Sequence, residues 1–570
     1  MPGKVNVDVE KILLVIFFAV FLFIGVGVLF DNHLKHDFPY AYLASDAFQH
    51  QTRAESIKDA GNYKNEASYI VMGLKGAIGY YPPVLYHLSA IFSELAGIEV
   101  YDSIYFLVFL FAAFGALLMY AVIRQFNKNA ALISLPVSLL VFSAGLYSGF
   151  TWGHWTAITS QFFLVGVIWF TSRINLKKSF IFLAIFLSGS IMTHTSEALF
   201  AIIYIALFLA ASMIINPRKD SGLEEATSAQ KNYKKIFLNF YGSRFGVLMP
   251  IILGLLACLA ISFYYLVIFR LVWIPRQPYE FSVLGRWDNP TMYLSDFKAL
   301  LAFLGAGIVF SMIFLRRYLV PAIASFSMIV LGMGNYFGFR EKAFQLRFFW
   351  PILLMFFIGT GVYHILNLVI KKWKIAYSAA IFALITLLIL IGVPYMPHYD
   401  RIKTSGLMDE YHWEVFRWIE KKTQKDSRIY FFYGDIFNQD AVLRNSKRTH
   451  NLIIPEDFVD AINKREIRRI YDTEVPGDGG GGAPYRKSFF SFGFMLNEVP
   501  QDYLSGKKDI CNFDYFVFDK KSRQQVLAQY NILIADELKK NGAVLVFENP
   551  VSIIMKNNKL GADCIEQRNF

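Results

Sequence analysis

Cysteine is nearly absent, with three in 570 residues. That excludes a cysteine-built metal module and a small disulfide scaffold. Charge is also scarce, at 18% Asp, Glu, Lys and Arg, which excludes a disordered polyelectrolyte. The one low-complexity patch, Gly477 to Gly482, lacks the Gly-Lys-Ser/Thr ending of a nucleotide phosphate loop and reads as a mobile loop, or a lid over a membrane site. No internal repeat is visible, whereas transporters are usually built from repeated halves. What remains is apolar sequence. The chain is 55% hydrophobic and 17% aromatic, more than a soluble protein of this length carries.

The apolar stretches define about eleven segments long enough to span a bilayer. They are 11–30, 104–123, 130–147, 156–172, 179–193, 197–215, 246–269, 298–315, 318–334, 348–370 and 375–394. The first, Ile12 to Phe30, is too long for a signal peptide and lacks a small-residue cleavage site, so it reads as a retained anchor. Every second break is basic: Arg124 with Lys128; Arg173, Lys177 and Lys178; Arg218 and Lys219 through Lys231, Lys234, Lys235 and Arg244; Arg316 with Arg317; Lys371, Lys372 and Lys374. Short basic loops stay in the cytoplasm, so the N-terminus is expected inside and the tail outside. Topology also explains much of the net charge of +12, which therefore gives no argument for nucleic acid. Counting the apolar stretch 82–97 as a span would put most basic clusters outside, so it is expected to lie on the outer membrane surface.

The expected architecture is a polytopic α-helical membrane domain, residues 1–395, followed by an extracytoplasmic α/β domain, residues 396–570. A tail of roughly 170 residues is a plausible domain. Within it, 409–422 and 521–541 read as helices, and 429–433, 515–518, 544–547 and 553–555 as strands. The first external segment, 31–103, is expected to hold a helix over 45–60 stopped by Gly61, and a second opened by Pro82-Pro83. Other external pieces are 148–156, the turn at His194, and the loops 270–297 and 335–347. Cys258 lies inside a span and reads as packing. Cys511 and Cys564 lie in the tail, where a disulfide persists, but their positions alone do not say whether they meet.

Chemistry-bearing residues concentrate outside. On a helix, Asp46, His50 and Arg53 share one face, and an Asp there can take a proton from a hydroxyl or hold a divalent cation. The bland alternative is a solvated helix kept wet by its charges. Asp37 is a second carboxylate nearby. Arg340, Lys342 and Arg347 precede a span on the outer side, against the usual bias. They read either as a clamp for a lipid phosphate or as side chains snorkelling to head groups. His194 and Glu197 form an ionisable pair at a span boundary. His154 sits between Trp152 and Trp155, which read as interfacial anchors. Asp46, His50 and His194 are conceivable ligands of a divalent metal, but they show no diagnostic spacing.

Four motifs in this order resemble the GT-C superfamily of membrane glycosyltransferases, which includes protein O-mannosyltransferases, aminoarabinose transferases and oligosaccharyltransferase catalytic subunits. They are a single N-terminal span; an external acid, Asp46, followed by Arg53-Ala-Glu and Gly61; Tyr81-Pro-Pro-Val-Leu-Tyr-His-Leu88 opening a surface helix; and Arg347-Phe-Phe-Trp-Pro351 beginning a late span before a terminal domain. The resemblance implies an inverting glycosyltransferase with a polyprenyl-phosphate sugar donor, a glycan, lipid or protein acceptor, and membrane lipids as surroundings. It implies Asp46 as base or metal ligand and Arg340 or Arg347 on the donor phosphate. No cofactor is required; a divalent metal stays open. The Trp-Trp-Asp-Tyr-Gly motif of oligosaccharyltransferases is absent, and Ser45 stands where a second acid would precede Asp46, so sequon glycosylation is not expected. A lipid or solute transporter, a flippase, or a non-catalytic scaffold are the alternatives.

Overall fold

The computed structural model describes residues 8–61, 67–71, 78–79, 82–143, 145–146, 148–173, 179–214, 253–257, 259, 294, 297–333, 350–370, 372–392, 406–453, 455–471, 494–495, 507–522, 524–561 and 563–565. Its helical part comprises α1 (Val9–Leu29), α2 (Ser45–Ala60), α3 (Val84–Ala96), α4 (Val100–Arg124), α5 (Lys128–Ser134), α6 (Trp155–Thr171), α7 (Ser179–Ile191), α8 (Thr195–Ile214), α9 (Leu300–Ile313), α10 (Leu315–Gly332), α11 (Trp350–Val369) and α12 (Ile375–Gly392). Among the described residues, α1, α4, α10, α11 and α12 are long and apolar enough to cross a membrane, and α5 to α9 are shorter apolar helices. Every expected span coincides with one of these except 246–269, which lies largely outside the described residues.

Two spans differ in detail. The third is α-helical only to Ser134 and continues as a 3-10 helix, Leu135–Phe142. Pro136 removes a backbone donor there, and all eight residues of that stretch are buried, so packing rather than the helical ladder holds it. In α10, Tyr318 is non-helical at φ −102° and Pro321 follows within the same helix. Close backbone packing joins α9 to α11: a Cβ on Gly307 would lie 1.7 Å from the Phe357 carbonyl oxygen. At the opposite end of the bundle from the tail, Glu10 is buried and pairs with Tyr120, Arg124 and Lys128. Two of the bases expected on the cytoplasmic side thus have an acidic partner that charge counting did not anticipate.

The tail holds a five-stranded sheet of β1 (Arg428–Phe431), β2 (Thr449–Leu452), β3 (Tyr515–Asp519), β4 (Val544–Glu548) and β5 (Ser552–Lys556), in the order β2-β1-β3-β5-β4. β1 is parallel to β2 and β3; β5 is antiparallel to β3 and β4. Alternation sends Ile429 and Phe431 into the core shared with α13 (Glu410–Lys422), and Tyr430 and Phe432 into a second core with α16 (Gln525–Lys540). The short helices α14 (Asp440–Leu443) and α15 (Pro455–Lys464) lie between the first two strands and beyond β2. The expected strands and both expected helices are present. β2, Thr-His-Asn-Leu, went unread because it lacks the apolar alternation of a strand. Cys511 and Cys564 form a disulfide, with Cα atoms 5.4 Å apart.

Asp409 caps α13, accepting from His412 N at 2.9 Å and meeting its Nδ1 at 2.6 Å, while Asp519 Oδ2 lies 3.6 Å from Nε2. Burial opposes charge on His412, but the two aspartates outweigh it and raise its pKa to about 9. A raised pKa stabilises the fold fully below the ordinary value of 6.5, and this contribution is lost as pH rises through 9. The shift corresponds to about 3 kcal/mol. Melting of the tail is expected to soften between pH 6.5 and 9 in the wild type, and His412→Gln is expected to flatten that dependence in a melting series.

The tail docks on the helical part. Leu407 N donates to Tyr42 O at 2.7 Å, Trp413 packs edge-on against Tyr101 at 5.6 Å, and Arg417 lies 3.8 Å from Glu99. One apolar core runs from α1 and α4 into Met408, Phe416 and Phe431 without interruption.

Candidate active site

Helix α2 occupies the seam between the bundle and the tail. Ala44 enters it extended, Asp46 places a carboxylate in its first turn, and Gly61 stops it at φ +61°, its N–H bonded to Ile57 and Lys58 carbonyls. Its sequence is polar, yet all ten residues from Ala47 to Ser56 are buried. The solvated-helix reading is therefore wrong. Burying polar groups is costly unless each is bonded. Thr52 and Ser56 return their hydroxyls to carbonyls one turn back, at 2.8 and 2.9 Å. Gln51 donates to Glu55 at 2.7 Å and to Asn445 of the tail at 2.9 Å.

The face carrying His50 meets three other segments. His50 Nδ1 lies 2.7 Å from the Tyr86 hydroxyl on α3, and the Gly153 backbone is a further neighbour of the ring. Burial first, then the positive neighbours Arg53, His194 and His154, lower the His50 pKa to about 3. His50 is thus a neutral ring. Trp155 is wholly buried and packs on Tyr42 at 4.9 Å, Tyr105 at 5.5 Å and His50 at 6.0 Å, so it is a core residue rather than an interfacial anchor. Trp152 and His154 are only partly buried.

The loop before α6 grips the start of α2. Leu43 N donates to Thr151 O at 2.8 Å. Gly153 sits at φ +88°, and a Cβ there would lie 2.3 Å from Ala47 N and 2.6 Å from the Asp46 carbonyl carbon. Asp46 itself is exposed at this edge. The turn before α8 closes the same region: Val84 N, opening α3, donates to Met192 O at 3.1 Å, and His194 pairs with the fully buried Glu197, which also accepts from Gln161 at 3.1 Å. Burial opposes charge on His194, but Glu197 outweighs it and raises its pKa. This side of α2 therefore brings together His194 with its pKa raised, the buried Arg53, the neutral His50 and the exposed Asp46 carboxylate. That lining suits an anionic ligand.

Arg53, His50, His154, His194 and Glu197 come together, with Asp46 beside them. Asp37 is exposed in the loop after α1; its neighbour His36 is the one held, with Nδ1 2.7 Å from Asp102. Sequence reasoning missed Tyr86 and Gly153, although Tyr86 lies in the aromatic Pro-Pro stretch and Gly153 between two tryptophans. Arg340, Lys342 and Arg347, Cys258, the loop 270–293 and Gly477–Gly482 lie outside the described residues. Among the described residues no group of three His, Cys, Asp or Glu side chains makes a metal centre.

No family model and no curated protein matches the sequence. Solved structures do. ArnT from Cupriavidus metallidurans bound to undecaprenyl phosphate superposes with a TM-score of 0.55 at 12% identity, covering 96% of this chain and 98% of that one. The chain has the GT-C fold. The oligosaccharyltransferase of Archaeoglobus fulgidus in its apo form gives a TM-score of 0.50 at 12% identity, covering 98% of this chain and 75% of that one. A second structure of the archaeal enzyme, a complex with zinc and sulfate, gives 0.50 at 12% identity, covering 95% and 73%. The match covers nearly all of this chain. At this identity it is a likeness of fold and assigns no residue its role.

Proposed function

We propose that this protein transfers a sugar from a polyprenyl-phosphate donor to an acceptor hydroxyl on the extracytoplasmic face of a membrane. The observation that carries this reading is the buried polar helix α2, which presents an exposed carboxylate beside cationic side chains at one end of an apolar bundle. The GT-C fold supports it, since one protein of that fold was solved holding undecaprenyl phosphate. In this reading the end carrying Glu10, Arg124 and Lys128 faces the cytoplasm, and the membrane part (1–395) and tail (396–570) are the two domains.

The donor phosphate docks on Arg340, Lys342 and Arg347, with His194, whose pKa the Glu197 carboxylate raises, nearby. Asp46 takes the proton of the acceptor hydroxyl. The hydroxyl oxygen bonds to the anomeric carbon from the face opposite the phosphate, the carbon–oxygen bond to phosphate breaks, and the configuration inverts. Preorganised cations stabilise the phosphate as charge develops on it. A divalent cation enters this reading only as a ligand of Asp46, and no step depends on it.

The test is to incubate the purified protein with a radiolabelled polyprenyl-phosphate sugar and cell-envelope extract. Label moving from lipid to acceptor supports the reading. Label crossing the bilayer still attached to lipid indicates a flippase, and tight binding to an extract component without transfer indicates a scaffold; either result overturns it.

A further inference from the structure

Helix α2 has a second working face. Gln51, Glu55 and Asp59 recur at intervals of four, so they form one stripe, and that stripe is turned to the tail. All three meet a single turn, Arg444 to Lys447. Lys447 Nζ lies 2.9 Å from Glu55 Oε1, 2.9 Å from Asp59 Oδ2 and 3.0 Å from Glu420 Oε1 on α13. One ammonium thus joins two carboxylates of α2 to one of the tail, and only 13% of its side chain is exposed.

The turn is rigid and held at a cost. Lys447 adopts φ +53°, the left-handed region that a side chain disfavours. The flanking residues fix it there. Asp440 binds Arg444 Nε at 2.9 Å and His450 Nε2 at 2.9 Å, while Arg448 donates to the Glu420 carbonyl at 2.7 Å and the Thr423 hydroxyl at 2.9 Å. The carboxylates have further partners: Gln51 donates to the other Glu55 oxygen, Oε2, at 2.7 Å, and Tyr69 donates to the same Asp59 Oδ2 at 2.8 Å. A glycine would satisfy the backbone but supply no charge. The strained residue is a lysine because its ammonium is what the position needs.

We infer that Lys447 is a positioning residue: it sets the placement of α2, and through α2 that of Asp46, so the tail completes the reacting site instead of standing apart from it. This rests on reading Asp46 as the reacting group. Lys447 touches neither substrate nor reacting atoms. It acts because one helix carries both stripes, Asp46 and His50 towards Tyr86 and the Gly153 loop, and Glu55 and Asp59 towards the latch.

The test uses the full-length protein in lipid nanodiscs, with Lys447→Met, Lys447→Arg and the milder Asp59→Asn. Hydrogen exchange of α2 amides and the kinetics of sugar transfer are measured together. Lys447→Met is expected to speed exchange across 45–60 while α9 and α11 stay protected, and to lower kcat roughly tenfold or more with KM within about twofold. Lys447→Arg, which keeps the charge, is expected to recover most of both. Asp59→Asn, which leaves two of the three carboxylates, is expected to shift both readouts in the same direction but less, and so keeps the test decisive if Lys447→Met does not fold. Unchanged α2 exchange, kcat within about twofold of wild type, or an arginine no better than methionine overturns the inference. A wild type without transfer activity removes the catalytic reading, and the exchange data still decide whether Lys447 places α2.

Discussion

Asp46→Asn is expected to abolish sugar transfer, lowering kcat by about 10³-fold, the range that a positioned general base contributes. The side chain is exposed and sits in the first turn of α2, where its interaction with the helix dipole is worth about 0.5 kcal/mol, and the amide keeps the size and shape of the carboxylate. Membrane insertion, the melting temperature and binding of the donor lipid should therefore stay close to wild type. Label transfer and melting measured on the same preparation separate a lost reaction from a lost fold. Full activity in a properly inserted Asp46→Asn protein removes Asp46 from the mechanism.

Gly153→Ala is expected to damage both the fold and the candidate site. The backbone at φ +88° is strained for any side chain, costing roughly 1–3 kcal/mol. Relaxing the backbone does not relieve the second problem, because the new carbon falls 2.3 Å from Ala47 N and 2.6 Å from the Asp46 carbonyl carbon. These are backbone atoms of a buried helix, and they cannot rotate away. The loop must retreat from the start of α2, and with it a neighbour of the His50 ring. A displacement near 1 Å at a reacting group costs about 10²-fold in rate. Activity should fall by that factor, and the melting temperature should drop as well, which distinguishes this variant from Asp46→Asn. The same loop gives a pH expectation. His50, with a pKa lowered to about 3, stays neutral through the working range; its contribution to stability is complete above 6.5 and declines as pH falls towards 3. The rate profile between pH 5 and 8 should therefore be unaffected by His50→Gln in shape, whatever its effect on height.

The helical architecture was legible because burial in a membrane writes itself into composition. Spans such as Val100–Arg124 and Trp350–Val369 are apolar over the length a bilayer requires, and their basic ends mark them off. Gly61 and the Pro82-Pro83 pair located α2 and α3 through backbone chemistry that depends on no partner. The burial of α2 was not legible. Its polar sequence is what a wet helix also looks like, and the difference lies in partners hundreds of positions away, Asn445 and Lys447. Trp155 was misread for a related reason: an indole at a span boundary fits an interface or a core, and only the rings of Tyr42 and Tyr105 decide. His50 read as a conceivable metal ligand, and its contact with the Tyr86 hydroxyl lay in a second segment that spacing within α2 does not show.

A density map of the protein with its donor lipid tests the central claim most directly. The account predicts the lipid phosphate at the outer mouth of the bundle, against Arg340 or Arg347, with the sugar's anomeric carbon turned towards Asp46 and the prenyl chain running between the apolar helices. A head group bound at the opposite end beside Glu10 and Arg124, or seated beyond the reach of Asp46, would contradict it.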